Sequence, residues 1–333
     1  MSEADEGPDW PDVDVVMPIR NEADHLEAAV AAVRSQDYPG TVRIFLGVGP
    51  SDDGTERLAE TLAEQDDVVV VPNPSGRTPS ALNAAIRAGS APVIVRVDGH
   101  SELSAGYIER AVRTMRQTGA VNVGGRQVPV ATTPFESAVA AATTSWLGTG
   151  GASYRVGGTP GPVDTVYLGV FDRTAVEAVG LFDERLIRNQ DYELNIRLRR
   201  AGGAVWFDSE LAVGYRPRGS WRALATQYYE YGRWKSVVMR MHPESTRLRQ
   251  LVPPIAMLGV AVAALVGLVR DRRALVVPAA YAATVAASSG RSDRLLRSAV
   301  LAAIHACWSA GVVVGLVASA QPGSITPGVG PRA

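Results

Sequence analysis

Four short apolar runs in the first 100 residues constrain the fold of this chain more than any other feature. They cover residues 13–18 (VDVVMP), 42–48 (VRIFLGV), 68–72 (VVVVP) and 92–97 (PVIVRV). None alternates strictly between apolar and polar residues, which is typical of parallel strands that are covered on both faces. Amphipathic helical patterns separate the runs, for example over residues 26–33. Repeated strand–helix units predict an α/β fold with a doubly wound parallel sheet, in which ligands bind beyond the carboxyl ends of the strands.

The chain continues with a less regular, glycine-richer stretch over residues 120–216, which predicts mixed strands and one helix at 190–201. We expect this stretch to extend the same domain, so the predicted α/β domain covers residues 13–216. The acidic segment 1–12 contains no apolar core. It is therefore predicted to be a disordered N-terminus and not a secretory signal, which leaves the α/β domain in the cytoplasm.

From about residue 217 the sequence becomes richer in aromatic and apolar residues, which predicts a membrane region. Residues 217–248 contain an aromatic and basic amphipathic helix that suits a membrane interface, the alternative being a helix packed on the protein's own core. Residues 249–320 carry two uncharged or nearly uncharged runs, 251–269 and 298–320, that are long enough to span a bilayer. A shorter apolar segment, 274–288, predicts a third, oblique or re-entrant helix. The tail, 321–333, is predicted to be disordered.

Charge and cysteine content exclude several classes of function. The formal net charge of the chain is −1, which provides no electrostatic argument for a nucleic-acid partner. The single cysteine, Cys307, excludes a disulfide or a multi-cysteine metal site within the chain. Arg247 and Arg249 precede the first predicted span and favour a cytoplasmic α/β domain, although arginines also flank the later segments.

Asp98 and His100 follow the fourth apolar run directly, in the sequence VIVRVDGH. With one glycine between them, both side chains can reach one ion from the turn after the strand. Carboxylate oxygen and imidazole nitrogen suit Mn²⁺ or Mg²⁺, and such an ion can neutralise a departing nucleoside diphosphate. The alternative is an ordinary turn.

Polar side chains also follow the other predicted strands or begin a later helix. The segment MPIRNE closes the first strand, GPSDDGT the second, and NPSGRTPSALN the third, while RNQDYELN opens the helix at 190–201. Arg77 in the third segment can hold a phosphate, and Asp191 lies where a helix dipole favours a carboxylate. Each segment taken singly is also explained by loop and helix-cap chemistry.

In this order the segments resemble the GT-A glycosyltransferases of family 2, and most closely the membrane-associated branch typified by succinoglycan-biosynthesis transferases. The resemblance covers about residues 12–240. It rests on proline and Asn-Glu after the first strand, Ser-x-Asp-Gly-Thr after the second, the Gly-Arg…Leu-Asn segment, Asp-x-His after the fourth, and the late helix that carries an aspartate. The segment VGLFDERL at 179–186 also matches.

The resemblance implies an inverting transfer of a sugar from a nucleotide-diphospho-sugar. It implies that Asp98 and His100 take the place of the family's metal-binding Asp-x-Asp and that Asp191 is the catalytic base. The residues implied to bind the nucleotide-sugar are Pro18, Arg20, Asn21, Glu22, Ser51, Asp53, Arg77, Asn83 and Asp98. Those implied on the acceptor or diphosphate side are Gln190, Gln227, Arg233 and Trp234.

One departure concerns the donor base. Many relatives read DDGSTDGT where this chain reads VGPSDDGT, so Val48 and Gly49 replace the first two acids and Asp53 is retained. A UDP-sugar is favoured and a GDP-sugar remains open. The predicted acceptor is a lipid-linked or membrane-held glycan in polysaccharide or cell-envelope assembly. The alternatives are a polyprenyl-phosphate sugar transferase and a non-catalytic membrane scaffold with the same fold.

Overall fold

The computed structural model describes residues 10–290 and 293–318. The predicted disordered tail, 321–333, and residues 1–9 of the predicted disordered N-terminus lie outside the described residues. Trp10 is described, and its ring packs edge-on against Tyr38 with the ring centroids 5.5 Å apart. Residues 10–12 of the predicted disordered N-terminus are therefore described, and Trp10 packs against the α/β domain predicted from residue 13.

The described residues form the following elements. The strands are β1 (Val13–Ile19), β2 (Val42–Val48), β3 (Val68–Pro72), β4 (Val93–Arg96), β5 (Glu102–Leu103), β6 (Asn122–Pro129), β7 (Gly161–Pro162), β8 (Tyr167–Asp172) and β9 (Val205–Tyr215). The helices are α1 (Leu26–Arg34), α2 (Thr55–Leu62), α3 (Thr78–Ala88), α4 (Tyr107–Thr118), α5 (Pro134–Thr143), α6 (Trp146–Thr149), α7 (Ser153–Val156), α8 (Arg173–Ala178), α9 (Gln190–Arg200), α10 (Trp221–Met241), α11 (Leu248–Val269), α12 (Val276–Ser288) and α13 (Arg294–Val317).

The chain divides into two compact units. The first comprises Met1–Val128 and Gly157–Tyr215, and the second comprises Pro129–Val156 and Arg216–Ala333. The predicted continuous domain over 13–216 is thus interrupted, because its segment 129–156 belongs to the second unit. The interruption follows from the short, alanine-rich helix α5, whose buried residues Ala138, Val139 and Ala142 join the apolar cluster of the second unit.

The first unit is built on one mixed sheet. Within the described residues its strands follow the order β3-β2-β1-β4-β8-β6-β9-β5, with β7 paired to β9. The neighbours of β1 are parallel to it, with Val13 opposite Val42 on one side and Val93 on the other. β8 then runs antiparallel to β4 and to β6. The four predicted parallel strands are confirmed, and the later strands form the antiparallel half of the sheet.

Helices cover both faces of this sheet, so the predicted doubly wound architecture is confirmed. On one face, α1, α2 and α4 bury residues such as Leu26, Ala59 and Ile108 against the sheet. On the other face, α3, α8 and α9 form a second cluster through residues such as Leu82 and Leu194. Burial on both faces explains why β1 and β4 are apolar without alternation.

The second unit is helical, and its core is built by α5, α10 and α13. Leu224 and Tyr228 of α10 pack in one cluster with Val300 and Ile304 of α13. The predicted region 217–248 contains helix α10, and protein covers Leu224 and Tyr228 of its apolar face, while its place at a membrane interface stays a prediction. This covering agrees with the alternative interpretation of the same pattern.

Among the described residues, α11 and α13 are long and apolar enough to cross a membrane. They correspond to the runs predicted at 251–269 and 298–320. Only 6% of the apolar window of α11 is buried by protein, against 44% for α13. The third predicted segment forms α12, which has 13 residues and is shorter than a bilayer-spanning helix.

Candidate active site

The loops after β1 and β2 are tied together at the carboxyl edge of the sheet. The backbone N–H of Asn21 donates to Ser51 Oγ at 3.1 Å, and the N–H of Asp52 donates to Asn21 Oδ1 at 3.1 Å. Asn21 adopts a left-handed conformation with φ of 54°, which asparagine tolerates better than most residues. Two of the predicted nucleotide-binding residues, Asn21 and Ser51, therefore build the edge of the site.

Asp53 is used by the fold at the same edge. Its carboxylate accepts hydrogen bonds from the N–H groups of Ala23 and Thr55, both at 3.0 Å. The Thr55 hydroxyl in turn accepts from the N–H of Glu22 at 2.8 Å. Burial works to raise the pKa of Asp53, but the hydrogen bonds from Thr55 and Ala23 outweigh it and hold the pKa below its ordinary value. Asp53 thus stabilises the loop after β1 as a carboxylate.

Arg20 and Arg77 place two exposed cations at this edge. Arg20 Nε donates to the carbonyl of Pro50 at 3.3 Å, and Arg77 Nη1 reaches the carbonyl of Glu184 at 3.5 Å. Both bonds are long and both side chains are solvent-exposed. A phosphate would bind more strongly to either guanidinium than a neutral carbonyl does.

Asn83 has a structural role. Its side chain is 2% exposed, donates to the Phe182 carbonyl at 2.8 Å and accepts from the Phe182 N–H at 2.9 Å. It also donates to Glu184 Oε1 at 2.9 Å. Both ends of the amide are occupied by the segment 182–184, and the predicted role of Asn83 in nucleotide-sugar binding stays a prediction. Asn83 fixes the segment that precedes α9.

Asp98 and Asp191 both bind the guanidinium of Arg96. Arg96, the last residue of β4, donates from Nε and Nη2 to Asp98 Oδ1 at 3.1 and 2.9 Å. Its Nη1 contacts Asp191 Oδ1, at the start of α9. The Arg96 side chain is 5% exposed, whereas those of Asp98 and Asp191 are 21% and 30% exposed. The two carboxylates are therefore accessible to a ligand, and the guanidinium that joins them is not.

The net effect of burial and of the charges of Arg96, Asp98 and Asp191 is to raise the pKa values of Asp191 and Arg96 above their ordinary values. Burial raises the pKa of Asp191 above its ordinary value, the Arg96 guanidinium opposes the rise, and the Asp98 carboxylate adds to it. Burial alone would lower the pKa of Arg96, but Asp191 and Asp98 together raise it above its ordinary value. Arg96 is therefore a permanent cation, and Asp191 is a stronger base than an exposed aspartate.

His100 is held by the carboxylate of Glu22. Its Nδ1 lies 2.8 Å from Glu22 Oε1, and the imidazole is 48% exposed. Gly99 permits this arrangement, because a Cβ at position 99 would lie 2.9 Å from Glu22 Cγ and from the Cδ1 of Ile19. Glu22, predicted to bind the nucleotide, is placed to orient the imidazole instead.

Comparisons with known proteins now add to this geometry. Residues 14–180 match the family model for glycosyl transferase family 2. The succinoglycan biosynthesis protein ExoA of Rhizobium meliloti (strain 1021) is 32% identical over 89% of this chain and 92% of its own length.

The chain is a family 2 glycosyltransferase.

Two solved structures share its fold. The mannosyltransferase PcManGT from Pyrobaculum calidifontis, in complex with GDP-Man and Mn²⁺, aligns with a TM-score of 0.58 and 17% identity over 93% of this chain and 88% of that chain. GalNAc-T7 with UDP, GalNAc and Mn²⁺ aligns with a TM-score of 0.50 and 16% identity over 72% of this chain and 52% of that chain. At these identities the likeness establishes the GT-A fold of the glycosyltransferase and nothing finer. The predicted fold, family and enzyme class are confirmed.

The side chains of this glycosyltransferase suit a divalent cation. Among described residues, Asp98 Oδ2 receives no hydrogen bond, and the side chain is 21% exposed, so one carboxylate oxygen is available to an ion. The carboxylate of Glu22 holds Nδ1 of His100, and a carboxylate partner of this kind is usual for metal-ligating histidines. Within residues 10–290 and 293–318, no group of three or more His, Cys, Asp or Glu side chains suited to a metal ion occurs.

The replacement of an acid by glycine at position 49 has a steric reason in this glycosyltransferase. A Cβ at Gly49 would lie 3.0 Å from the Cα of Gly76, because the segment after β3 passes close to the end of β2. An acid at position 49 would therefore require that segment to move.

The four residues predicted on the acceptor or diphosphate side separate into two groups. Gln190 is buried next to Asp191 in the first unit. Gln227, Arg233 and Trp234 lie on α10 in the second unit, where Gln227 donates to Tyr231 Oη at 3.1 Å and Trp234 is buried. Their roles toward an acceptor stay predictions.

Sequence reasoning missed two residues of the glycosyltransferase site. Arg96 interrupts the apolar run VIVRV, and a charge inside a buried strand is a recognisable signal of an ion pair. Tyr167, at the start of β8, lies close enough to Asp98 for that carboxylate to add to the rise that burial causes in its pKa. No sequence pattern singled out Tyr167, because its proximity to Asp98 depends on the antiparallel pairing of β8 with β4.

Proposed function

We propose that this protein is an inverting glycosyltransferase that moves a sugar from a nucleotide-diphospho-sugar to a lipid-linked or membrane-held glycan acceptor. The process is polysaccharide or cell-envelope assembly at the cytoplasmic face of a bacterial membrane. A UDP-sugar is the favoured donor, with a GDP-sugar as the alternative. The observation that carries the proposal is the pairing of Asp98 and Asp191, which are far apart in the sequence, on one buried arginine.

Asp191 is the proposed base. Its Oδ1 contacts Arg96, and Oδ2 receives no hydrogen bond from a described residue, so Oδ2 is available to an acceptor hydroxyl. As the hydroxyl oxygen bonds to the anomeric carbon, its proton passes to Asp191 and the bond from that carbon to the diphosphate oxygen breaks. The leaving group departs with the electron pair as a nucleoside diphosphate, and attack opposite to it inverts the anomeric centre.

Asp98 and His100 would hold the divalent cation, Mn²⁺ or Mg²⁺, and Glu22 would orient the imidazole. When bound, this ion supplies positive charge to the leaving diphosphate. Arg20 and Arg77 are proposed to bind phosphate oxygens from the rim of the site. The nucleotide edge is provided by the loops after β1 and β2, which Asn21, Ser51 and Asp53 hold together.

The membrane-held acceptor is supported by α11, whose apolar window is almost entirely uncovered by protein. A 22-residue helix of this composition fits the hydrocarbon core of a bilayer. Arg247 and Arg249 at its start favour a cytoplasmic start for α11. The bacterial relative ExoA, whose name assigns it to succinoglycan biosynthesis, supports a polysaccharide product.

The test uses the full chain purified in detergent, with UDP or GDP and Mn²⁺ as probes. Asp191→Asn is expected to keep metal-dependent nucleotide binding, measured by thermal shift, and to lose transfer by at least about 100-fold because no base remains. Asp98→Ala is expected to lose the metal-dependent shift. Near-normal turnover in Asp191→Asn would remove Asp191 as the base.

Product analysis separates the two acceptor classes. Radiolabelled UDP-glucose or GDP-mannose is supplied with a short polyprenyl phosphate or with a polyprenyl-diphospho-sugar. Label in the second acceptor alone supports glycan extension. Label in polyprenyl phosphate alone would instead identify a polyprenyl-phosphate sugar transferase.

A further inference from the structure

We infer that Arg96 is a positioning residue for sugar transfer, because one guanidinium holds the proposed metal-binding carboxylate and the proposed base at a set spacing. The inference rests on the roles proposed above for Asp98 and Asp191. It concerns a residue that touches neither donor nor acceptor, since its side chain is 5% exposed.

The first observation is that Arg96 binds only one oxygen of each carboxylate. Arg96 binds Oδ1 of Asp98 with two N–H groups and Oδ1 of Asp191 with a third. In each carboxylate the other oxygen receives no hydrogen bond from a described residue. Arg96 therefore occupies one oxygen of each acid and leaves Oδ2 of each acid available to a ligand.

The second observation is that strand β4 fixes the backbone of Arg96. β4 lies between β1 and β8, and all four of its residues are buried. Arg96 pairs with Val16 in the parallel ladder, so its backbone is fixed from β1. The guanidinium is thus attached to a rigid strand, whereas Asp191 belongs to a separate helix and Asp98 to the turn after β4. Arg96 joins these two elements.

The fork geometry of arginine is required for this arrangement. A planar guanidinium donates in two fixed directions at once, which the single ammonium of lysine does not reproduce. It also separates two like charges that would otherwise repel each other within a partly desolvated site. The in-line displacement needs the base and the leaving diphosphate on opposite sides of the sugar, and their spacing is what Arg96 sets.

The experiment compares Arg96→Lys with Arg173→Lys. Arg173 is a matched control because it is also buried and also binds a carboxylate, Asp14 Oδ2, at 2.6 Å. It contacts the carbonyl of Ala91, which precedes β4, and so lies at the opposite end of that strand from Asp98. Both variants keep a positive charge and lose the planar guanidinium, but only Arg96→Lys is predicted to impair sugar transfer.

Two readouts are measured on the full chain in detergent. Mn²⁺ affinity in the presence of UDP or GDP, followed by electron paramagnetic resonance without turnover, is expected to weaken about 10- to 100-fold in Arg96→Lys, as for other residues that orient a metal ligand. The turnover number, followed by nucleoside-diphosphate release from UDP-glucose or GDP-mannose, is expected to fall about 100-fold. In the folded fraction of Arg173→Lys, the Mn²⁺ affinity and the turnover number should each stay within about threefold of the wild-type values, because Arg173 does not contact Asp98 or Asp191.

A double variant tests whether Arg96 acts through the base. In the Asp191→Asn background, with Mn²⁺ raised until the weakened metal site is filled, Arg96→Lys should cost much less turnover than it costs alone, because one of the two groups it positions is already absent. An additive further loss would overturn the inference.

Equal losses in Arg96→Lys and Arg173→Lys, or unchanged metal affinity and turnover in Arg96→Lys, would also overturn it. If Arg96→Lys does not fold, Arg96→Gln, which keeps a planar NH₂ donor, replaces it. Failure of both to fold while Arg173→Lys folds would assign Arg96 a purely structural role. Normal turnover in Asp191→Asn alone would instead refute the proposed function, so the two failures are distinguishable.

Discussion

Asp191 has two carboxylate oxygens in different surroundings. Oδ1 contacts a buried cation, and Oδ2 receives no hydrogen bond from a described residue in a side chain that is 30% exposed. Burial favours the protonated acid while Arg96 favours the carboxylate, and the balance leaves the pKa raised. A base in such a site binds a proton more strongly than an exposed aspartate does.

This balance predicts the acidic limb of the pH profile. The base must be ionised to accept a proton, so turnover is lost as the pH falls through the pKa of Asp191. Because that pKa is raised, the loss should begin at a higher pH than for an ordinary aspartate. Arg96→Gln removes the charge that opposes the rise, so its residual turnover should be lost at a still higher pH.

The measurement is turnover against pH at saturating donor and metal, with the folded fraction checked at each pH. Metal binding must be followed in parallel, so that loss of the ion is distinguished from loss of the base. Turnover that stays constant down to pH values near 4, with metal still bound, would contradict the raised pKa.

Individual site residues were predictable from the sequence where they follow a strand directly. The place of Asp98, His100 and Asn21 at one sheet edge was predictable because the carboxyl ends of parallel strands share one edge of a sheet. Pairing across long sequence separations was not predictable in the same way. Whether Arg96 meets Asp191 depends on the position of α9 on the sheet, and the hydrogen bonds between the Asn83 amide and Phe182 likewise join distant parts of the sequence.

At the scale of elements, glycines decide how closely α10 and α13 pack. A Cβ at Gly311 would overlap the backbone carbonyl of Tyr229, and one at Gly232 would overlap the carbonyl of Trp308. Gly315 faces Ser236 in the same way. Such close backbone contact through small residues is typical of packed helices in membranes.

Two alanine variants test this contact. Gly311→Ala is expected to destabilise the protein by about 1–3 kcal/mol, because the methyl group overpacks a backbone-to-backbone contact. Gly259→Ala in α11 meets nothing within 4 Å and should be neutral or stabilising by up to about 1 kcal/mol, since alanine favours the helix. Thermal unfolding of the full chain in detergent measures both. Equal effects would refute the close packing of α10 against α13.

Helix positions were predictable from the sequence because apolar periodicity and length are local properties. The partner of each helix was not, since an aromatic, basic face is compatible with both a lipid interface and another helix. For α10 the deciding information is in α13, some 70 residues later, whose Gly311 and Gly315 provide the space for its backbone.

At the scale of the whole molecule, the chain enters the second unit twice. Segment 129–156 leaves the sheet after β6, joins the helices that follow residue 216, and the chain then returns to complete the first unit. The sequence did not predict this division, because α5 to α7 are short and their apolar residues give no long periodic pattern. The part of the second unit that protein covers least is α11.

The exposure of α11 leads to a prediction about the membrane. Leu258 lies near the middle of the helix with 64% exposure, and Leu248 begins the helix with 82% exposure. If the helix spans a bilayer, Leu258→Arg puts a charge at its centre and costs about 2.5–3.5 kcal/mol of insertion free energy. Leu248→Arg should cost little, since an arginine at the end of a span reaches the headgroups.

The measurement is the carbonate-resistant membrane fraction of each variant and of the wild type, expressed at equal levels. We expect the wild type and Leu248→Arg to remain in the membrane and Leu258→Arg to be partly extracted. The comparison is informative because a water-exposed helix would tolerate both arginines equally well. Extraction of all three proteins would therefore show that α11 does not span a membrane, and would leave the sheet-edge chemistry of Asp98 and Asp191 unaffected.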